Sequence, residues 1–155
     1  MIDNAAFSKF DPSEMHTVYN KWPEISRNAY ESNFQSIDYA DIDNIIFAGM
    51  GGSGAVGDIF ASILSKSNVH VSVVKGYLLP KTVNKNSLVV ITSVSGETVE
   101  TLSVLKKVKE TGCKTIAFSS GGKIEDYCLK NKIEYRKIQQ IHSPRASFTN
   151  FLYSY

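Results

Sequence analysis

The stretch SLVVITS, residues 87–93, is apolar on successive positions. A strand of that kind has no face to give to water. It belongs inside a sheet with helices on both sides, which is where the parallel strands of α/β proteins lie. The flanking sequence supplies the helices. GETVETLSVLKKVKET, residues 96–111, carries Val99, Leu102, Leu105 and Val108 at helical spacing, and Gly112 stands where a helix C-terminus favours glycine. SGAVGDIFASILSKS, residues 53–67, does the same with Val56, Ile59, Phe60, Ile63 and Leu64. NIIFA, VHVSVV, CKTIAFSS and IEYRKI read as four further strands, and KGYLLPKTVNKN as a loop punctuated by Pro80 and Asn86. GGKIEDYCLKNK reads as a short helix, and PRASFTNFLYSY as a last helix with Pro144 in its first turn. This alternation predicts an α/β fold: a three-layer, flavodoxin-like, mostly parallel five-stranded sheet flanked by helices.

Residues 1–43 read as an N-terminal helical extension. Val18, Trp22, Ile25, Ala29 and Phe34 recur at roughly helical spacing, with Pro12 and Pro23 as helix starts or breaks. A linker over residues 39–43 separates this extension from the sheet domain, residues 44–155.

Bulk properties narrow the function. The net charge of +2, from 17 basic and 15 acidic residues, comes with no basic run longer than Lys106-Lys107. It gives no basis for binding nucleic acid or an anionic membrane. Cys113 and Cys128 form neither a CxxC pair nor a zinc spacing, so they read as ordinary buried or half-buried thiols, and no metal is expected. No apolar run approaches the roughly 18 residues of a membrane span. The start, MIDNAAFSKFDPSEM, lacks the pattern of a signal peptide, so a cytoplasmic location is expected. The end of the chain is odd. Phe148, Phe151, Leu152, Tyr153 and Tyr155 form an aromatic-rich cluster at helical spacing. Either that helix docks on the body or on a partner, or the chain was cut from a longer one.

In an open α/β sheet a ligand sits beyond the carboxyl ends of the strands, where the strand order reverses. Two loops are placed to meet it: GMGGSG after the first strand and SVSGET after the third. The first fits G-x-G-x-x-G through Gly49, Gly51 and Gly54. Glycine lets a backbone approach a phosphate, and the following helix offers free amides and positive potential. A dinucleotide also needs an acid near the end of the second strand for its ribose. The corresponding VHVSVVKG has none, although Lys75 leaves a 2′-phosphate, and so NADP, open. The second loop carries more weight. Ser93, Ser95 and Thr98 surround Gly96 at a helix N-terminus, with Ser53 in the facing loop. A single serine there would serve as a helix cap. Several hydroxyls together, donating hydrogen bonds without charge, suit a phosphate that must bind and leave.

At these residues the sequence resembles a known family. TSVSGETVETL, residues 92–102, resembles the S-x-S-G-x-T-x-E-T signature of sugar isomerase (SIS) domains. GMGGSGAVGD, residues 49–58, resembles the first loop of the bifunctional phosphoglucose/phosphomannose isomerases found largely in archaea. HSPRASF, residues 142–148, resembles that family's Pro-Arg-Ala motif. A full-length member carries two SIS domains in tandem, and this chain resembles the first.

The resemblance implies a function: interconversion of glucose 6-phosphate or mannose 6-phosphate with fructose 6-phosphate through a cis-enediol, with no cofactor or metal. It also implies roles. Ser93, Ser95 and Thr98 hold the phosphate of a sugar 6-phosphate, helped by amides near Gly96. Gly51, Gly52 and Ser53 meet the sugar. Arg145 is the catalytic group, stabilising the enediolate near C1 and C2. The family's base, a Glu, and its ring-opening His come from the second domain. His16, His70 and His142 do not match the latter, and Glu97 and Glu100 sit at the phosphate end, so no base is assigned. The chain alone is therefore expected to turn over weakly or not at all, and to need a second SIS domain or a homo-oligomeric partner. A non-catalytic phosphosugar-sensing module is the alternative from another class, and an NADP-dependent reductase the third reading. The chain departs from the signature at Glu97, where the family carries Asn. A carboxylate pointing inward would repel a dianion; one in the first turn of a helix can point to water and favour the helix dipole, which is the arrangement expected.

Overall fold

The computed structural model describes residues 4–32 and 34–155. Five strands form one parallel sheet: β1 (Asn44–Ala48), β2 (His70–Val74), β3 (Ser87–Ser93), β4 (Lys114–Ser119) and β5 (Glu134–Lys137). Their order is β2-β1-β3-β4-β5, the flavodoxin-like order anticipated from five strands. The order reverses between β1 and β3, so the loops leaving these two strands diverge and open a crevice at their carboxyl ends.

Burial explains why SLVVITS is continuously apolar. Val89 and Ile91 of β3 join Ile46, Ala48 and Ala117 in one core, covered by α5 (Val99–Val108) and α6 (Gly122–Asn131). Val90 points the other way, with Phe47, Ile116 and Phe118, toward α4 (Gly51–Leu64) and α7 (Phe148–Leu152). Alternate residues of one strand thus fill two separate cores.

Some glycines of the first loop serve this packing. A Cβ on Gly57 would lie 2.7 Å from Cβ of Phe47, and one on Gly54 2.7 Å from the carbonyl oxygen of Gly49. They let α4 lie close against β1, which accounts for part of the glycine content without a ligand.

Several sequence expectations shift by a residue or a face. Leu102, Leu105 and Val108 point inward, but Val99 is 64% exposed, and Val104 and Thr101 are buried instead. The register is that of a helix that begins at Val99 and turns its first residue outward. Ile63 is likewise exposed. The last helix does not begin at Pro144. Residues 144–147 form turns and α7 starts at Phe148, with the Ser147 hydroxyl donating to the carbonyls of Ile141 and Ser143 and accepting from the Ile141 amide. The aromatic tail docks on the body. Phe151 is buried, and Tyr155 stacks on Phe118 at 4.3 Å and on Phe60 at 5.2 Å.

The N-terminal stretch forms α1 (Asn4–Phe10), α2 (Met15–Asn20) and α3 (Trp22–Glu31), with Pro23 in the first turn of α3. Asp11 caps α2 by accepting from the amides of Met15 and His16 and from the His16 ring; these bonds, the His16 amide first, hold its carboxyl at about 2. Phe34 lies outside any helix, and residues 34–43 run without regular structure. They are pinned to the sheet domain by Arg136, which donates to the carbonyl of Gln35, and by Lys114, which donates to that of Ala40. Cys128 is buried and Cys113 half-buried, both as free thiols, and burial pushes the Cys128 thiol up to about 11.

Candidate functional site

The two loops singled out in the sequence meet at the crevice beside β1 and β3. A cavity of about 470 Å³ lies there, and Gly51, Gly52, Ser53, Ser95, Thr98 and Arg145 all line it. That volume is ordinary for a small-molecule site. A groove of about 410 Å³ on the α4 face of the sheet, lined largely by aliphatic and aromatic side chains, holds none of these residues.

Two helices begin at this cavity. The first turn of α4 contributes Gly51, Gly52 and Ser53, and Thr98 is the residue before α5. The first amides of a helix have no partner within it, and here neither Met50 nor Thr98 makes a side-chain cap. Two uncapped N-termini therefore direct amide donors and positive partial charge toward one space. Gly51 enters α4 with a φ of 52° and open space where a Cβ would lie, in contrast to the tightly packed Gly54 and Gly57.

Ser93 and Gly96 do not reach the cavity wall. Ser93 is 1% exposed, and its hydroxyl bonds Thr98 Oγ1 at 2.8 Å and accepts from the Gly96 amide at 3.2 Å. Gly96 also donates to the Ser93 carbonyl, and its own carbonyl accepts from Ile124. Both shape the loop from beneath. Ser95 is in the cavity wall and exposed, and its hydroxyl accepts from the Glu97 amide at 3.2 Å.

Glu97 turns away from the cavity. Its carboxylate pairs with Lys123 Nζ at 2.6 Å and accepts from the Lys123 amide at 3.0 Å, at the start of α6. The Lys123 ammonium, and then its amide, hold the Glu97 carboxyl below its ordinary value. The expected outward orientation is found, with a protein partner in place of water.

Arg145 is exposed at the cavity and, among the described residues, its guanidinium has no hydrogen-bond or ion-pair partner. His142 is held elsewhere: its Nε2 donates to the carbonyl of Ser13 at 2.8 Å. His70 is exposed at the start of β2. Among the described residues, no carboxylate or imidazole lines the cavity, and no cluster of His, Cys, Asp or Glu suits a metal ion. Lys75, the residue weighed for a 2′-phosphate, pairs with Asp58 at 2.5 Å. No helix of the described residues is long and apolar enough to cross a membrane.

Sequence reasoning missed part of the wall. Trp22, Met50, Val94, Pro144 and Phe148 also line the cavity. Trp22 and Phe148 sit at helical apolar positions, where periodicity gives the same signal for a cavity wall as for a core.

The sequence model of the SIS domain matches residues 38–135. This chain belongs to the SIS domain family. Among curated relatives, it is 36% identical to the bifunctional phosphoglucose/phosphomannose isomerase of Caldicellulosiruptor bescii, over 84% of this chain and 40% of that protein. It is 30% identical to the D-glucosamine-6-phosphate 4-epimerase of Sulfolobus acidocaldarius, over 91% of this chain and 43% of that protein. The chain thus spans about two fifths of the length of these relatives. Among solved structures, an Escherichia coli CFT073 protein in complex with A5P superposes with a TM-score of 0.62 at 20% identity, over 90% of this chain and 85% of that one. That likeness is one of fold. The matched residues run from before β1 into β5 and include both loops at the β1/β3 switch point.

Proposed function

We propose that this SIS domain is the first, phosphosugar-binding half of an aldose–ketose isomerase acting on glucose 6-phosphate or mannose 6-phosphate and fructose 6-phosphate. The observation that carries the reading is the convergence, on one cavity, of two helix N-termini without side-chain caps and an arginine that has no partner among the described residues. The phosphate lies at the β3–α5 loop. Thr98 and Ser95 donate to it, while Ser93 holds Thr98 in position and Gly96 sets the turn. The carbon chain extends toward Gly51, Gly52 and Ser53, with C1 and C2 near Arg145.

Isomerisation removes the proton from C2 of the aldose, or from C1 of the ketose, and leaves an enediolate. Its negative oxygens are the charge that a fixed guanidinium stabilises. The base that takes the proton has to reach those carbons. The proposal places it on a second SIS domain or a partner subunit, in keeping with relatives more than twice as long as this chain. The same proposal divides the chain into an N-terminal extension, residues 1–43, whose helices are α1 to α3, and a phosphosugar-binding domain, residues 44–155.

Thermal unfolding tests the reading. Fructose 6-phosphate at about 100 times its dissociation constant adds roughly 2.7 kcal/mol to stability. The expected result is a rise in Tm with sugar phosphates well beyond that with inorganic phosphate. Stabilisation by NADP alone overturns it. A second measurement addresses Glu97. Because its carboxylate is spent on Lys123, Glu97→Asn is expected to leave fructose 6-phosphate affinity within about twofold, the range of a surface substitution. A tenfold gain would show that the carboxylate reaches the phosphate after all.

A further inference from the structure

The cavity is not built by the SIS span alone. Its wall includes Trp22, the single tryptophan of the chain, at the start of α3 and outside the matched residues 38–135. The indole N–H of Trp22 donates to the carbonyl of Ala146 at 2.8 Å. Ala146 directly follows Arg145, and residues 143–147 have no regular helix to hold them. The indole also lies 6.4 Å from the ring of Phe148, tilted by 37°, and Tyr19 meets it edge-on at 4.8 Å. Phe148 also meets the first loop, its Cδ2 4.0 Å from where a Gly52 Cβ would stand. A second tie, His142 to the carbonyl of Ser13, fastens the other end of the same turn to the N-terminal helices.

We infer that Trp22 is a positioning residue for Arg145 and closes the sugar end of the cavity, so the N-terminal helices are part of the site. Its one polar hydrogen is used on Ala146, so the indole offers a ligand only its apolar ring surface. That surface suits the C–H faces of a sugar carbon chain and offers nothing to a phosphate. The indole bond to Ala146 adds to the hydrogen bonds within the turn, from Ser143 and Ser147, and fixes the backbone next to Arg145 against the N-terminal helices, which gives a direction to an exposed arginine that has no partner among the described residues.

This inference rests on the phosphosugar reading, and the experiment separates the two. Trp22 is the only indole, so intrinsic emission reports on the cavity directly. Titration of the full chain with fructose 6-phosphate is expected to change Trp22 emission, while inorganic phosphate at saturation leaves it nearly unchanged. Trp22→Phe keeps a ring but loses the bond to Ala146. It is expected to weaken fructose 6-phosphate binding about tenfold, as measured by calorimetry, and to leave phosphate binding within about twofold. A merely structural tryptophan would weaken both ligands alike or neither. If wild-type chain binds fructose 6-phosphate with no change in emission, or if Trp22→Phe preserves the ratio of the two affinities, the inference is overturned while the phosphosugar site stands. If wild type binds no sugar phosphate by calorimetry, the phosphosugar reading falls and takes the inference with it. Should Trp22→Phe fail to fold, the wild-type emission titration alone decides.

Discussion

Replacing Gly96 by alanine should lower the unfolding free energy by about 3–5 kcal/mol, combining a left-handed alanine with forced overpacking. The reason is local. Gly96 has a φ of 71°, and a Cβ there would lie 1.7 Å from the carbonyl oxygen of Gly121 and 2.8 Å from its carbonyl carbon. Both atoms are backbone, so no side-chain rotation relieves the clash. The two loops are also tied together. Ser120 donates to the Val94 carbonyl through its amide at 2.9 Å and its hydroxyl at 2.6 Å, and the Ile124 amide donates to the Gly96 carbonyl at 3.1 Å. Separating the loops to admit a methyl group breaks these bonds, and keeping them leaves the overlap. For a chain of this length the expected fall in Tm is about 6–20 °C. The variant that still folds should lose its response to fructose 6-phosphate, because Thr98 and the α5 N-terminus are placed by this turn. A Tm within about 2 °C of wild type would show that the loops move apart freely and that Gly96 has no structural hold on the site.

Gly96 also shows what the sequence could and could not reveal. A glycine flanked by Ser93, Ser95 and Thr98 between a buried strand and a helix reads in the sequence as a candidate anion loop, and Ser95 and Thr98 both line the cavity. The reading does not show that Gly96 is fixed by the β4–α6 turn, since that contact joins segments 25 residues apart and leaves no periodic trace. Ser93 is a related case. Its residue type suggested direct contact with phosphate, while its place at the end of β3 buries it beneath the loop, where it serves Thr98. The fold itself was readable because β3 must be apolar on both faces and the helices must be apolar on one. Those demands write period and continuity into the chain. The start of α7 was not readable to the residue, because Pro144 favours a helix start while the chain first makes a turn over residues 144–147 and becomes regular only at Phe148. Trp22 shows in the sequence only as one of the apolar positions at helical spacing, because its bond to Ala146 spans 124 positions.

Arg145→Gln is the substitution that separates an isomerase half from a phosphosugar sensor. Arg145 is exposed and, among the described residues, unpartnered, so its loss should change the unfolding free energy by no more than about 0.5 kcal/mol, the range of surface substitutions. Any change in binding is then a change at the site. In the proposed arrangement the guanidinium faces the oxygens on C1 and C2 and leaves the phosphate to Ser95, Thr98 and the helix N-termini. Charge-assisted hydrogen bonds contribute roughly 1.5–3 kcal/mol. A phosphorylated hydroxamate, which carries the enediolate's charge at that end, should therefore bind Arg145→Gln about 10–100-fold more weakly than wild type. Inorganic phosphate should change by no more than about twofold, and fructose 6-phosphate, with neutral oxygens near Arg145, should fall in between. In a preparation that turns over, kcat should drop about 10²–10³-fold, as for other preorganised groups at a developing oxyanion. Equal weakening of all three ligands would assign Arg145 to the phosphate and reverse the direction in which the sugar lies. Unchanged binding of all three would leave a cavity that holds a phosphosugar with no group to stabilise its enediolate, which is how a sensor is built.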